Sequence, residues 1–397
     1  MLCRFVATLL LASCTPTLGG GAPKVPSMFR VVAEGPCQKL TPARFAERTL
    51  IIFGETGYSL SDWDANEPWP AAQSIVELRG GDFGVSQDVL RGLPKDDRGY
   101  VPFDLRIGRD RNRSPWLRLT DTSYAARGTG ALVTRTYRDY TWDKTQWAPE
   151  ESAIDLGGRL RGFSLDEPCE DAALKFIPLD HAVGADNSVF IAGRCQDAEI
   201  VAYQDTTLVV AVAGPADTTF SYARLPRTSH LTGTVNIDIE VDHKSRAWLV
   251  AYEPFSAPEG RHSYFVAWNG ERFNEVDLGV DEGLMSVAHT EDGRIFVAAS
   301  EVLLELDESF NPKPTKLPAP RFVAGASGVH LHTVTSLDCR DVWVQGTYRV
   351  EAPRGPSGEP LARDAAVLYS TVEARGTLYC DAAEPSARAT SVVEGDL

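Results

Sequence analysis

The chain has 397 residues, of which 43% are hydrophobic, enough to form the core of one large domain or two smaller ones. It carries 39 lysine and arginine residues against 55 aspartate and glutamate residues, a formal net charge of −16 at pH 7. Since nucleic-acid binding relies on clustered cations, and this chain contains no basic run, we expect no nucleic-acid partner.

The first fourteen residues have the pattern of an export signal followed by a lipid-attachment cysteine. Arg4 supplies a positive charge, residues 5–12 (FVATLLLA) form a short apolar segment, and residues 11–14 are LASC. This pattern resembles the lipobox of bacterial lipoproteins. The resemblance implies cleavage before Cys14, acylation of that residue, and a lipid anchor in a membrane of the bacterial cell envelope. An ordinary secretory leader is the alternative.

The sequence predicts four segments. Residues 1–13 are the predicted signal peptide, and residues 14–44 the lipid anchor, a Gly/Pro-rich tether and a short helix that extends over ARFAER (43–48). Residues 45–385 are the predicted folded domain, and residues 386–397 a flexible tail. No later segment has the roughly 20 apolar residues that a membrane-spanning helix needs. We therefore expect the domain to be held at a membrane by its lipid alone.

Five cysteines follow the predicted anchor. In an oxidising compartment, Cys169–Cys195 and Cys339–Cys380 are the natural local disulfide pairs. Cys37 is then left over. It can instead pair with Cys380 and join the two ends of the domain, and the sequence leaves both connectivities open.

From residue 49 onwards, short apolar and aromatic runs alternate with turn clusters, which indicates an all-β chain. Four segments align on one template, with an aromatic residue in a strand that follows a polar turn. These aromatic residues are Phe190, Trp248, Phe296 and Trp343. Their separations of 58, 48 and 47 residues predict a single β-propeller, with six blades favoured and seven or five as alternatives. An orthogonal β-sandwich is the structural alternative.

Residues 284–307 show the blade pattern most completely, with three apolar runs and a Glu-Asp-Gly turn. Within it, TEDGRIFVAAS (290–300) resembles the repeats of NHL-like and two-component-regulator-type propellers, and SLDCRDVWVQG (336–346) does so more loosely. The resemblance implies how a blade folds and specifies no ligand. Because the chain has no G-x-S-x-G, H-E-x-x-H, P-loop or G-x-G-x-x-G motif, we expect no nucleotide and no other cofactor.

Acidic residues lie on the strands predicted to line the propeller axis: Asp180, Asp238 and Glu240. Two carboxylates near one axis can serve a glycosidase or lyase, which requires that they share one pocket. Acidic side chains are equally expected in a wet channel without catalysis.

Two groups have weak metal-site patterns. His330 and His332 lie two apart on a predicted strand, a spacing that can direct two imidazoles to one metal. Asp62 and Asp64 mimic the start of a calcium loop, but Glu67 stands where the turn glycine should be. We therefore predict partly buried histidines and a solvent-exposed loop, with no metal.

Clustered aromatic residues predict a contact surface. Tyr137, Tyr140, Trp142 and Trp147 lie within one short segment, and the side chains that face outward suit a protein or glycan partner. Core packing is the more common use of such side chains and is expected for most of them. The sequence thus predicts a monomeric, non-catalytic binding or scaffold module of the cell envelope. The alternative is an envelope polysaccharide hydrolase or lyase that uses the inner-strand carboxylates.

The lipid anchor can be tested by mutation. Cys14→Ala should move the protein from the membrane fraction to the soluble fraction, because the thiol that accepts the lipid is lost. Cys3→Ala, in the leader, is the matched control and should leave the protein in the membrane fraction. Membrane partition of Cys14→Ala equal to that of the wild type would contradict the prediction.

Overall fold

The computed structural model describes residues 28–35, 39–45, 48–54, 73–85, 104–109, 115–127, 130–142, 145–149, 169, 174–184, 188–197, 207–214, 217, 219–225, 236–242, 244–252, 263–280, 283–321, 328–337, 341–351 and 362–379. Every helix or strand in these ranges is a β-strand, so the predicted all-β class is confirmed. In the same ranges there is no helix long and apolar enough to cross a membrane.

The described strands form six sheets. The first described strand is β1 (Arg30–Gly35). Sheet 1 follows it and contains β2 (Lys39–Phe45), β3 (Arg48–Gly54), β4 (Gln73–Arg79) and β5 (Asp82–Val85). Sheet 2 contains β6 (Asp104–Arg109), β7 (Pro115–Arg127), β8 (Gly130–Trp142) and β9 (Trp147–Pro149). Sheet 3 contains β10 (Leu174–Val183), β11 (Val189–Asp197), β12 (Thr207–Ala213) and β13 (Ser221–Arg224).

The second half of the chain repeats this arrangement. Sheet 4 contains β14 (Asn236–Val241), β15 (Ala247–Tyr252), β16 (Ser263–Trp268) and β17 (Phe273–Val276). Sheet 5 contains β18 (Leu284–His289), β19 (Ile295–Ala299), β20 (Leu303–Leu306) and β21 (Pro312–Thr315). Sheet 6 contains β22 (His330–Thr335), β23 (Trp343–Glu351), β24 (Ala362–Ser370) and β25 (Leu378–Tyr379), together with β1.

In four pairs of successive sheets, the first strands contact each other. β10 contacts β14, β14 contacts β18, and β18 contacts β22, while β2 contacts β6 on one side and β23 and β24 on the other. Each first strand lies at the edge of its own sheet. Short antiparallel sheets joined through their first strands are the arrangement of a β-propeller. The count of six holds for the described ranges, and the blade number of the whole chain stays a prediction.

The N-terminal strand closes this arrangement. β1 lies between β24, with which it is antiparallel, and β25, with which it is parallel. Val32 and Ala33 of β1 have no exposed surface. Because the first and the last described strands thereby enter one sheet, strand edges that would otherwise stay open are paired.

A buried carboxylate lies on the same closing strand. Glu34 is 1% exposed, and its Oε2 accepts hydrogen bonds from the Arg321 backbone N–H at 2.9 Å and the Tyr348 hydroxyl at 3.3 Å. Burial, followed by the negative charge of Glu34, raises the pKa of Tyr369 far above its ordinary range, so that this phenol stays neutral. The closing strand is therefore held by polar contacts as well as by the strand ladder.

The repeated aromatic residues pack between sheets. Each lies on the second strand of its sheet and shares a buried cluster with a residue on the first strand of the next sheet. The pairs are Phe190 with Ile239, Trp248 with Val287, Phe296 with Val334, and Trp343 with Leu40. Full burial of a large apolar side chain contributes about 1.5–3 kcal/mol to the free energy of unfolding. The sequence period is thus the period of sheet-to-sheet packing.

One element differs from the sequence prediction. The short helix predicted over residues 43–48 is wrong, because β2 and β3 form a hairpin there, with Ala43 opposite Leu50. Pro42 lies within β2, where a proline is tolerated because β2 is the edge strand of its sheet. β1 and most of β2 also lie in the segment 14–44, predicted to hold the anchor, the tether and the short helix, so strands begin before residue 45.

Candidate functional site

Side chains on three successive first strands bind the backbone of the next first strand. Each accepts a hydrogen bond from a backbone N–H group. The pairs are Asp180 with Ile239 (3.0 Å), Asp238 with Val287 (2.8 Å) and Ser286 with Val334 (3.1 Å). We call these three contacts the inner-strand links. They join sheets 3, 4, 5 and 6 in order.

The links recur at a fixed place in the repeat. Their side chains are separated by 58 and 48 residues, the same spacing as the aromatic residues of these sheets. In β10 and β18, the strand register shifts just before the linking residue, between Pro178 and Asp180 and between Leu284 and Ser286. Such an irregularity bends a strand and changes the direction of the following side chain. The sequence prediction did not include the links, although this shared spacing is a signal from which they can be found.

Asp238 and Ser286 form a continuous polar chain. The Ser286 hydroxyl donates to Asp238 Oδ2 at 2.5 Å and accepts the Val334 N–H. Oδ2 of Asp238 therefore receives two hydrogen bonds, one from this hydroxyl and one from the Val287 N–H. Asp180, which is 7% exposed, is held in the same way by the Ile239 N–H. Both carboxylates are engaged in joining sheets.

Glu240 forms a different contact between the same two strands, β14 and β18. Its Oε1 lies 2.9 Å from Nδ1 of His289, whose side chain is buried. The His289 ring lies 5.7 Å from the Trp248 ring, and the Arg246 guanidinium stacks on that indole at 5.4 Å from its centroid. Nε2 of His289 is buried without a hydrogen-bond partner among the described residues.

The two histidines of the weak metal pattern are close together. The rings of His330 and His332 lie 5.8 Å apart in an edge-to-face arrangement, and Nε2 of His332 is 2.7 Å from the Thr347 hydroxyl. Within the part of the chain that the structure describes, no group of three or more histidine, cysteine or carboxylate side chains is arranged to hold a metal ion. Asp62 and Asp64 lie outside the described residues.

Trp147 requires a correction. The sequence predicts it as part of a contact surface, but it is 2% exposed and belongs to the core. The reason is that an indole has a large apolar area, which favours burial in the core over exposure to solvent. Tyr137, Tyr140 and Trp142 lie on β8, and their side chains lie outside the described residues.

The cysteines divide into two groups. Cys169 and Cys195 form a disulfide with a Cα–Cα distance of 5.6 Å. Cys14, Cys37, Cys339 and Cys380 lie outside the described residues, as do the leader and the C-terminal tail.

A cleft of about 740 Å³ lies between β3, β4 and the β4–β5 turn of sheet 1 and the segment that connects β24 to β25. Its charged lining residues are Arg48, Glu77, Arg79, Glu373 and Arg375. None of the inner-strand carboxylates lines it. No sequence pattern predicts this cleft, because its residues come from distant segments that share no motif.

Comparisons with known proteins support the architecture. No family model matches the chain, and no curated protein matches it. A protein of unknown function from Dyadobacter fermentans has a similar structure, with a TM-score of 0.50 and 12% identity over 86% of this chain and 98% of the other.

Two enzymes are more distant structural neighbours. The alpha-L-arabinofuranosidase of Fusarium graminearum gives a TM-score of 0.43 at 10% identity, covering 87% of this chain and 95% of its own. A Trypanosoma rangeli sialidase gives 0.40 at 8% identity, and this chain spans 55% of its length. Likenesses this weak carry no argument about function. The β-propeller prediction is confirmed by the four-stranded antiparallel sheets described above.

The structural role of the links can be tested at Asp238. Asp238→Ala should lower the free energy of unfolding by about 2 kcal/mol, because the Val287 N–H loses its acceptor in a poorly hydrated place. Asp238→Asn keeps an acceptor oxygen and should cost about half as much or less. Urea unfolding measures both. Equal stability of the alanine variant and the wild type would contradict the role.

Proposed function

We propose that this protein is a lipid-anchored β-propeller of the bacterial cell envelope that binds an envelope protein or glycan without transforming it. The observation that carries the proposal is the engagement of Asp180 and Asp238 in the inner-strand links. A general acid, base or nucleophile must contact its substrate, and these carboxylates contact the backbone of the next sheet instead.

The arrangement of the chain suits recognition at the envelope. Rigid sheets joined by links hold the connecting loops in place, and loops are where binding residues concentrate. The predicted lipid at Cys14 is followed by the tether at residues 15–27. A flexible segment of that length has a mean reach of roughly 20 Å, which keeps the domain near the membrane and its partners.

An envelope polysaccharide hydrolase or lyase is the second candidate. Two of the structural neighbours, the arabinofuranosidase and the sialidase, are enzymes, which agrees with this candidate better than with a binding function. Those likenesses show only the fold. The observation in its favour is the Glu240–His289 pair, since a carboxylate and an imidazole 2.9 Å apart are groups that transfer protons. The side chain of Glu240 is 30% exposed, whereas that of His289 is buried.

A combined binding and turnover assay separates the two candidates. The full-length protein in detergent is mixed with isolated envelope polysaccharide and with solubilised envelope proteins. Co-sedimentation and cross-linking measure binding, and the release of reducing ends or unsaturated sugar measures turnover. We expect saturable binding with no product, and the same result for Glu240→Gln.

The control is Glu308→Gln, which removes an exposed carboxylate from the turn between β20 and β21. Product formation that is lost in Glu240→Gln but retained in Glu308→Gln would replace the binding function with the enzymatic one. Absence of binding to every envelope fraction would also contradict the proposal.

A further inference from the structure

The cleft beside sheet 1 brings three arginines together in an acidic protein. Three arginines, Arg48, Arg79 and Arg375, line it together with Glu77 and Glu373. The chain as a whole carries a net charge of −16. The cleft volume of about 740 Å³ lies in the range of pockets that hold small ligands.

One wall of the cleft is a pair of arginines fixed by one carboxylate. Glu77 Oε2 lies 3.0 Å from Nε and 2.9 Å from Nη2 of Arg48. Its Oε1 lies 3.1 Å from Nε and 2.9 Å from Nη2 of Arg79. Glu77 thus orients both guanidinium groups. On Arg79 it occupies only the edge formed by Nε and Nη2. Because the Arg79 side chain is 81% exposed, its other edge can receive a ligand.

The other wall is the segment after β24. The Arg375 backbone N–H donates to the Gly81 carbonyl at 2.8 Å, which fixes this segment against the β4–β5 turn. The Arg375 side chain lies over Gly81, where an added Cβ would approach its Cγ to 3.2 Å. Its guanidinium is 72% exposed and contacts Asp82 at 3.2 Å, a pair that water screens.

We infer that this cleft binds an acidic saccharide, a glycan that carries uronic acid groups. The planar forks of Arg79 and Arg375 match a sugar carboxylate, and Glu373 and the Gly80–Gly81 backbone can accept hydrogen bonds from sugar hydroxyls. A peptide partner is anchored mainly by aromatic side chains in apolar pockets, whereas the apolar residues that line this cleft are Leu78 and Val372, and no aromatic residue lines it. The inference rests on the proposed binding function and names its ligand class.

The test uses trigalacturonic acid as the probe and the full-length protein in detergent. Calorimetric titration should show binding that weakens as salt is added, because the contact is ionic. Arg79→Gln and Arg375→Gln should each reduce affinity roughly tenfold, the effect of losing one charged hydrogen bond. Arg79→Lys, which keeps the charge but loses the fork, should recover only part of that loss.

Two controls keep the inference falsifiable. Arg272→Gln removes an exposed arginine from a turn of sheet 4 and should leave the affinity unchanged. Neutral trigalactose should not bind. Urea unfolding verifies that each variant remains folded, and both tested arginines are exposed enough to be replaced without loss of the core.

Several outcomes would overturn the inference. These are equal binding of trigalactose, equal binding of a tetra-aspartate peptide, or unchanged trigalacturonate affinity in both glutamine variants. If the glutamine variants still bind envelope polysaccharide as the wild type does, the cleft is not the binding site, and the proposed binding function stands. If the wild type binds trigalacturonate at the cleft but no envelope fraction, the proposed function fails instead.

Discussion

The first strand of each sheet must satisfy backbone groups on an edge that has no strand partner. In sheets 4, 5 and 6, only one side of β14, β18 and β22 is paired within the sheet. Side chains of the preceding sheet supply acceptors for this edge, namely Asp180 and Asp238 for N–H groups of β14 and β18, and Ser286 for β22. Since an unpaired buried N–H costs about 1–3 kcal/mol, a short acidic or hydroxyl side chain at this position stabilises the fold.

The pairing of β1 within sheet 6 also satisfies backbone groups on strand edges. β1 enters sheet 6 between β24 and β25, so the first and the last described strands belong to one sheet. The aromatic residues then fill the space between sheets, and the links fix the spacing of the first strands. The inner-strand carboxylates Asp180 and Asp238 thereby serve the structure, and the proposed recognition is assigned to the cleft beside sheet 1 and to the loops.

The sequence predicted those features that repeat. The spacing of Phe190, Trp248 and their relatives revealed the fold because each packs against the next sheet. It did not reveal the hairpin around Pro42, since a proline beside polar residues has the local pattern of a helix start and only its edge position permits a strand. The burial of Trp147 and the meeting of Arg79 with Arg375 in one cleft depend on tertiary contacts. The role of Asp238 could have been predicted, because its spacing from Ser286 matches the aromatic period.

The central claim is that inner-strand carboxylates hold neighbouring sheets together, and amide hydrogen exchange tests it most directly. In the wild type, the amides of Val287 and Ile239 should both be protected, the first by Asp238 and the second by Asp180. In Asp238→Ala, exchange at Val287 should accelerate by at least roughly tenfold while Ile239 is much less affected. Unchanged protection of Val287 in that variant, or its absence in the wild type, would contradict the account.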